Sequence, residues 1–476
     1  MRHFIFLSIL LFIASGNSIA QKAVRIPTDV CGITRENSKE AMLEVRQTIL
    51  SLKKQNRLHF KQRDIDSLKQ NALLQPNAPT SVRFAWPLRA KNAEEYPYLG
   101  SKNYVDVQSG DCTLDYNGGW HTYDGHDGMD IITAPYYWQR KKNNEVYAVA
   151  SAPGIIVGKR DGGFDGNCSW TNPPWVGAGA SGNYFAILHA DGTTVSYYKH
   201  LKMGSLVDKD SGDYVSTGDY LGVIASSGRS TAPHLHFEVH VAWGDDDNPD
   251  GLLIEPFAGP DNPSTDVSLW SNQKPYIEPD VIGIESHSGS PEFYTSGCDS
   301  TIDLSTLQNS FGAGSTVTFR VFIRDWLDGS SIQAVIVKPD GSQETTWLPV
   351  ENGDDYVYNC NSSKLEDWRF MYNTWSKFIP ANAPHGTWAF RFTFNGKVYS
   401  HYFTVGCILN QNFVGTQSGA LGYITGNTIT STVTISGASA NNIRYKADNQ
   451  VVLSPGFTAT AGCTFLANTQ GCVNGN

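Results

Sequence analysis

Charge is scarce in this chain of 476 residues: Asp, Glu, Lys and Arg together make up 17% of it, and the formal net charge is -10. With an acidic balance and no basic stripe outside the N-terminal stretch, nucleic acid is excluded as a partner. Beyond residue 20 no apolar run is long enough to cross a bilayer, so the mature chain carries no helical membrane span. There is no Cys-x-x-Cys pair, which excludes a structural zinc ribbon. There is no His-Glu-x-x-His helix, so a general base cannot come from that motif. Helical periodicity is confined to one early segment.

The chain is instead rich in residues that suit strands and turns. It holds 45 Gly, 22 Tyr, 22 Phe and 12 Trp, and Ser, Thr and Asn are plentiful, a composition that favours β-sheet. Its start reads as an export signal: Arg2 and His3, an apolar run from Phe4 to Ala14, then the small-x-small site Ser18-Ile19-Ala20. Maturation is expected at Gln21, and the protein is expected to be secreted or to reside in the periplasm or cell envelope. No cysteine closely follows the apolar run, which argues against a lipid anchor. All eight cysteines lie beyond the signal, which together with export predicts disulfides. Cys112 and Cys168 are placed to staple the loops around the first histidine motif described below.

Patterning divides the rest into four parts. From Ser38 to about Lys69 apolar residues recur at spacings of three and four (Met42, Val45, Ile49, Leu52), which predicts an amphipathic helix or helical hairpin over a segment spanning 21–80. This stretch is basic in an acidic protein, with eight Lys or Arg against four Asp or Glu. It reads as a helix packed on the next domain or as a prosegment. A glycine-punctuated β region follows over 84–262, with strands expected at Val146 to Ala150, Gly154 to Gly158, Tyr184 to Leu188, Thr194 to Tyr198, Tyr220 to Ile224 and Leu235 to Val241. An antiparallel sheet is the natural architecture. A linker rich in Pro, Asn and Ser near 259–280 leads to a second β region, 281–406. Its two alternating runs joined by Asn395-Gly396 predict a hairpin, and an immunoglobulin-like β-sandwich fits it. The last part, 407–476, has only Arg444, Lys446 and Asp448 as charged residues and reads as a small stacked β module. The fold class is therefore mainly β, with a short N-terminal helical segment.

Chemistry concentrates in two histidine motifs. The first, His126-Asp-Gly-Met-Asp130, holds a histidine and a carboxylate four residues apart. A straight strand would separate them by roughly 13 Å, and Gly128 permits a bend. The second is Pro233-His-Leu-His-Phe-Glu-Val-His-Val241, in which polar and apolar residues alternate strictly. It reads as a strand with one buried face and one face turned to a cleft. His234 and His236 share a side, about 7 Å apart. His200, in Tyr-Tyr-Lys-His-Leu, lies between the motifs. Two imidazoles and a carboxylate leave one zinc position for water, the signature of a catalytic rather than a structural site. Glu238 reads either as a partner that orients His236 or as plain structural polarity. His189 reads as structural, and His240 and the Asp245–Asp250 cluster as solvated. Trp170 and Trp175 are candidates for one wall of the cleft.

The ordered motifs Phe-Ala-Trp-Pro-Leu at 84–88, His-Asp-Gly-Met-Asp-Ile, the strand around Val146 to Gly158, Tyr-Tyr-Lys-His-Leu and Ala-Pro-His-Leu-His-Phe-Glu-Val resemble the lysostaphin-like (LytM-type) zinc metallopeptidases over roughly 84–260. The resemblance implies His126, Asp130 and His236 as ligands of one Zn2+ per chain. It implies His200 and His234 as catalytic histidines, which orient or deprotonate the water and stabilise the tetrahedral intermediate. It further implies a secreted endopeptidase acting on peptidoglycan cross-links, of D,D-endopeptidase or glycine-bridge type, or on glycine-rich peptides. A non-catalytic cell-wall binder on the same fold is the alternative.

Overall fold

The computed structural model describes residues 24–25, 34–91, 99–108, 112–133, 135–169, 179–241, 251–289, 306–327, 329–347, 367–406, 408–418, 420–436 and 441–469. The export signal, Trp170 and Trp175, the Asp245–Asp250 cluster, and Cys31, Cys298, Cys360, Cys407 and Cys472 lie outside the described residues.

The early periodic stretch forms a helical hairpin, Arg35–Lys54 (α1) and Gln62–Leu74 (α2). Met42, Val45, Ile49 and Leu52 make one buried stripe along α1, as a 3.6-residue period demands. The stripe lies on Val157, Tyr184, Leu188, Val195 and Tyr197 of the sheet beneath. Burying four such side chains is worth on the order of 6–12 kcal/mol before ordering costs. That is enough to make α1 a fixed part of the sheet's surface.

The sheet is antiparallel and has eight strands: Leu99–Asn103 (β1), Met129–Thr133 (β2), Gly154–Arg160 (β3), Asn183–His189 (β4), Val195–Leu201 (β5), Tyr214–Val215 (β6), His234–Val241 (β7) and Leu252–Ile254 (β8). Their order is β1-β2-β7-β5-β4-β3-β6, with β8 on the C-terminal end of β7. The face opposite α1 carries the main core, which includes Phe84, Leu88, Ile131, Phe185, Tyr198, Leu235 and Phe237. A small antiparallel sheet of Leu88–Ala90, Val146–Val149 and Tyr220–Val223 contributes to that core.

Two expectations change here. Strand β7 is buried along all eight residues, rather than open on one side. Its alternation records an apolar core on one face and a buried polar row on the other. His240, expected in solvent, is fully buried, with Tyr197 5.5 Å away ring to ring. The segment expected as a linker also belongs partly to the core. Leu269 and Trp270 are buried in it, Phe84 donates its N–H to the Leu269 carbonyl at 2.8 Å, and Tyr276 donates to Asp115 at 2.5 Å.

Two further β units follow. The second is a sandwich. One sheet holds Asp280–His287, Thr316–Leu327, Asp367–Phe378 and the early pair Val24–Arg25; the other holds Ile332–Val337, Gln343–Trp347, Gly386–Phe394, Lys397–Val405 and Ser310–Phe311. The Asn395-Gly396 turn has φ of 47° and 82°, the left-handed pair that a two-residue hairpin of type I′ requires. The third unit departs from the antiparallel pattern. Every pair among its strands is parallel, so successive turns of chain stack on one another around Ile429, Ile435, Ile443 and Tyr445.

Candidate metal centre

Strand register places the site. Asp130 on β2 pairs with Asn103 on β1 and with His236 on β7, and His236 pairs with Lys199 on β5. Directly opposed residues share a face, so one row across four strands reads Asn103, Asp130, His236, Lys199. His126 reaches the row from the loop before β2. Its Nε2 lies 3.3 Å from Asp130 Oδ1 and 3.3 Å from His236 Nδ1, and His236 Nδ1 lies 2.9 Å from Asp130 Oδ1. His126, Asp130 and His236, all buried, thus bring three donor atoms together.

Gly128 serves this packing differently from the expectation. It is not among the residues with positive φ. A Cβ there would stand 2.5 Å from His236 Nε2 and 2.9 Å from the Phe237 carbonyl, so the glycine makes room for the imidazole.

The second pair of histidines stands beside the first three residues. His234 Nε2 is 3.4 Å from Asp130 Oδ1, and the His200 and His234 rings are 4.6 Å apart. Strict alternation along β5 would send His200 to the face opposite Lys199. His200 instead takes φ of 66°, a conformation that costs a non-glycine residue roughly 1–2 kcal/mol. The pairing of β5 with β4 shifts register at this end. This local twist is what brings His200 onto the same face as its neighbour.

Each imidazole is held by the nitrogen that faces away from the others. His126 Nδ1 donates to the Tyr104 carbonyl at 2.6 Å, His200 Nδ1 to Ser227 at 2.6 Å and His234 Nδ1 to Ala232 at 2.8 Å. His236 is turned the other way, with Nε2 on Glu238 Oε1 at 2.8 Å and Nδ1 toward Asp130. These contacts fix the tautomers and leave one basic nitrogen per ring aimed at the centre. Asp130 Oδ2 accepts from Asn103 Nδ2 at 3.0 Å. Burial pushes the Asp130 carboxyl up, but the imidazoles of His126 and His234 outweigh it and hold it well below the usual carboxylate range. Glu238 behaves alike: burial raises it, and the Lys199 ammonium, with His236 and His240, brings it well below its ordinary value.

The donor set fits zinc. Bonds of about 2.0 Å in a tetrahedron separate ligand atoms by roughly 3.3 Å, close to the separations seen. Charge agrees. Around His236 are three buried carboxyl groups, Asp127, Asp130 and Glu238, against one buried ammonium, Lys199. A dication balances that excess. Asp127, His236 and Glu238 form a second cluster of donors, but the Lys199 ammonium already sits on Glu238 Oε1.

Of the residues singled out from sequence, His126, Asp130, His200, His234 and His236 come together, and Glu238 lies directly behind His236. His189 is apart, locked between the Pro153 carbonyl and Ser196 Oγ at 2.9 Å each, and burial lowers its pKa. His121, to which the sequence assigns no role, stacks on Trp120. Sequence reasoning missed Asn103, whose signal is a register, and Lys199, whose signal is the backbone twist at His200.

Residues 124–249 match the family model Peptidase family M23. Among curated proteins, the lysostaphins of Staphylococcus staphylolyticus and Staphylococcus simulans are each 42% identical over 57 residues, 12% of this chain and 11% of theirs. The match therefore spans about a ninth of those relatives' length. Among solved structures, the catalytic domain of the antimicrobial peptidase lysostaphin from Staphylococcus simulans aligns at 24% identity. That alignment covers 33% of this chain and 87% of that one, with a TM-score of 0.20. The catalytic domain of the prophage-encoded M23 protein EnpA from Enterococcus faecalis aligns at 20% identity over 38% of this chain and 95% of that one, again with a TM-score of 0.20.

Proposed function

With residues 124–249 a peptidase-family M23 region of the lysostaphin-like (LytM) type, we propose that this chain is an exported zinc endopeptidase that cuts peptidoglycan peptides, at D,D cross-links or glycine bridges. One observation carries the reading: His126 joins Asp130 and His236 of the row as three buried donors, two further histidines stand beside them, and all four rings are locked through their outward nitrogens. We assign His126, Asp130 and His236 as ligands of one zinc ion, and His200 and His234 as catalytic residues. A bound zinc ion supplies Lewis acidity and lowers the pKa of a water to about 7.

The chain's own residues do the rest. His234 Nε2, beside the Asp130 carboxylate, is placed to take a proton from a water at the centre and return it to the departing amine. His200, whose Nδ1 donates to the Ser227 carbonyl, donates through Nε2 to the oxygen that gains charge when the scissile carbonyl is attacked only in its protonated form, since the imidazolium carries a donor on both nitrogens. The full burial of both rings keeps these contacts in a low dielectric, where they are strongest.

We propose 84–262 as the peptidase domain, 281–406 as a sandwich and 407–476 as a targeting or spacing module. Export is supported by the N-terminal signal pattern, and the eight cysteines that follow it suit the disulfides expected of an oxidising compartment. Mass analysis of products from defined cross-linked muropeptides and from pentaglycine tests the reading. One of the two should be cut, and His234→Ala and Asp130→Ala should abolish cutting. Undiminished activity in both variants overturns the assignment.

A further inference from the structure

Behind His236 runs a line of buried polar contacts that leads out of the sheet and into helix α1. His236 Nε2 meets Glu238 Oε1 at 2.8 Å. The same oxygen accepts the Lys199 ammonium. Lys199 Nζ in turn donates to Ser38 Oγ at 3.0 Å. Glu238 Oε2 meets His240 Nε2 at 3.2 Å. Ser38, Lys199, Glu238 and His240 are all at most 1% exposed. Ser38 stands in the first turn of α1, and Thr34, just before that helix, forms a β-bridge with His126 itself.

A lysine buried this deeply, far from water, needs its charge and its donors matched. Here one carboxylate and one hydroxyl do so, and the hydroxyl comes from outside the sheet. Holding Lys199 still holds Glu238 still, and Glu238 sets both the tautomer and the tilt of His236. Asp127 adds to the same field: it is 1% exposed, and its Oδ1 lies 3.4 Å from His236 Nε2.

We propose that Ser38, Lys199 and Glu238 are positioning residues that tie helix α1 to the metal ligand His236, so that the N-terminal helix is a working part of the metal centre and not a removable cover. The proposal rests on the assignment of His236 as a zinc ligand. The outer-shell carboxylate strengthens the donor nitrogen, an effect that typically changes metal affinity 10–100-fold.

The test is zinc affinity of the full chain, read by competition with a chromophoric chelator, with folding followed separately by thermal melting. Glu238→Gln should weaken zinc binding about 10–100-fold. Lys199→Met and Ser38→Ala should weaken it by a smaller factor, and Ser38→Thr should restore it. Combining Ser38→Ala with Glu238→Gln should add little beyond Glu238→Gln alone, because both act through one nitrogen. A purely structural contact would lower the melting temperature of Ser38→Ala and leave its zinc affinity at the wild-type value. That result, with wild type binding zinc, overturns the relay alone. A wild-type chain that binds no zinc overturns the zinc reading and the relay together.

Discussion

Two residues show how much the site depends on single backbone positions. Gly128 gives its space to the His236 ring, and any Cβ there meets both that ring and the Phe237 carbonyl. On the proposed zinc assignment, Gly128→Ala is expected to cost zinc affinity more than tenfold and to lower the melting temperature as well, since the Cβ meets a backbone carbonyl in addition to the ring. Paired chelator titration and thermal melts check this. His200 keeps a left-handed backbone, φ 66°. His200→Gly should lose catalysis by about 10²–10³-fold, the usual worth of one donor to a developing oxyanion. The strain relief offsets part of the lost side-chain packing. Comparing its melting temperature with that of His200→Ala tests the point: the glycine variant should be the more stable of the two.

At the scale of elements, helix α1 and strand β7 depend on each other. Ser38 of α1 meets Lys199, which sits on Glu238 of β7, and α1 is held on the sheet by its buried apolar stripe together with Arg160 on Glu40 and Glu44. Ile49→Ala, at 3% exposure, should cost about 2–5 kcal/mol, measured by denaturant unfolding. In the sandwich, His401 on Lys397–Val405 is buried beside Ser286, 2.9 Å away, and burial lowers its pKa to about 4. In the unfolded chain a histidine takes its proton near 6.5. The unfolded state thus binds more protons between those values. The stability this histidine contributes is present above about 6.5 and is lost as pH falls toward 4, by up to about 3 kcal/mol. Melts of wild type and His401→Gln between pH 4 and 7 should diverge in slope, with the variant the flatter.

Across the whole molecule, the sandwich leans on the rim of the proposed metal centre. Phe322, with Ile282 and Tyr372 beside it, packs against Ile132, Tyr137, Trp138 and Ala232. Ala232 precedes β7 by two residues and carries the carbonyl that holds His234. Tyr136 crosses the same boundary and donates to Glu285 at 2.5 Å. Phe322→Ala is expected to lower turnover several-fold with zinc content unchanged, because it loosens the segment that aims His234 and leaves the ligands alone. Zinc content and rate on one preparation test this. A second charge matters at this scale. Glu255 is buried under the site, and burial raises its pKa to about 8. Its carboxyl is protonated in the folded chain where an unfolded one is not. Stability is therefore fully present below about 4.5 and is lost as pH rises toward 8, a trend that Glu255→Gln should flatten.

Most of the strands, the helical stripe and the Asn395-Gly396 turn were legible in the sequence, because each is written in a local period or a short motif; the five residues proposed for the site were picked out by their ordered motifs and the resemblance those carry. The strands at Gly154 and Tyr184 fall where alternation and turn residues put them. The alternation of β7 was read correctly as a period but assigned to the wrong surroundings, since a period says that two faces differ and not what covers each. Sequence by itself determined which residue types stand on which face and which of them can hold a metal. Only the tertiary structure decided that Asn103, Asp130, His236 and Lys199 form one row, that His200 turns against its strand's alternation, and that Ser38 of α1 meets Lys199 behind Glu238. The physical reason is that register, backbone twist and the choice of covering element are set by long-range packing energies shared among distant segments, which no local pattern records.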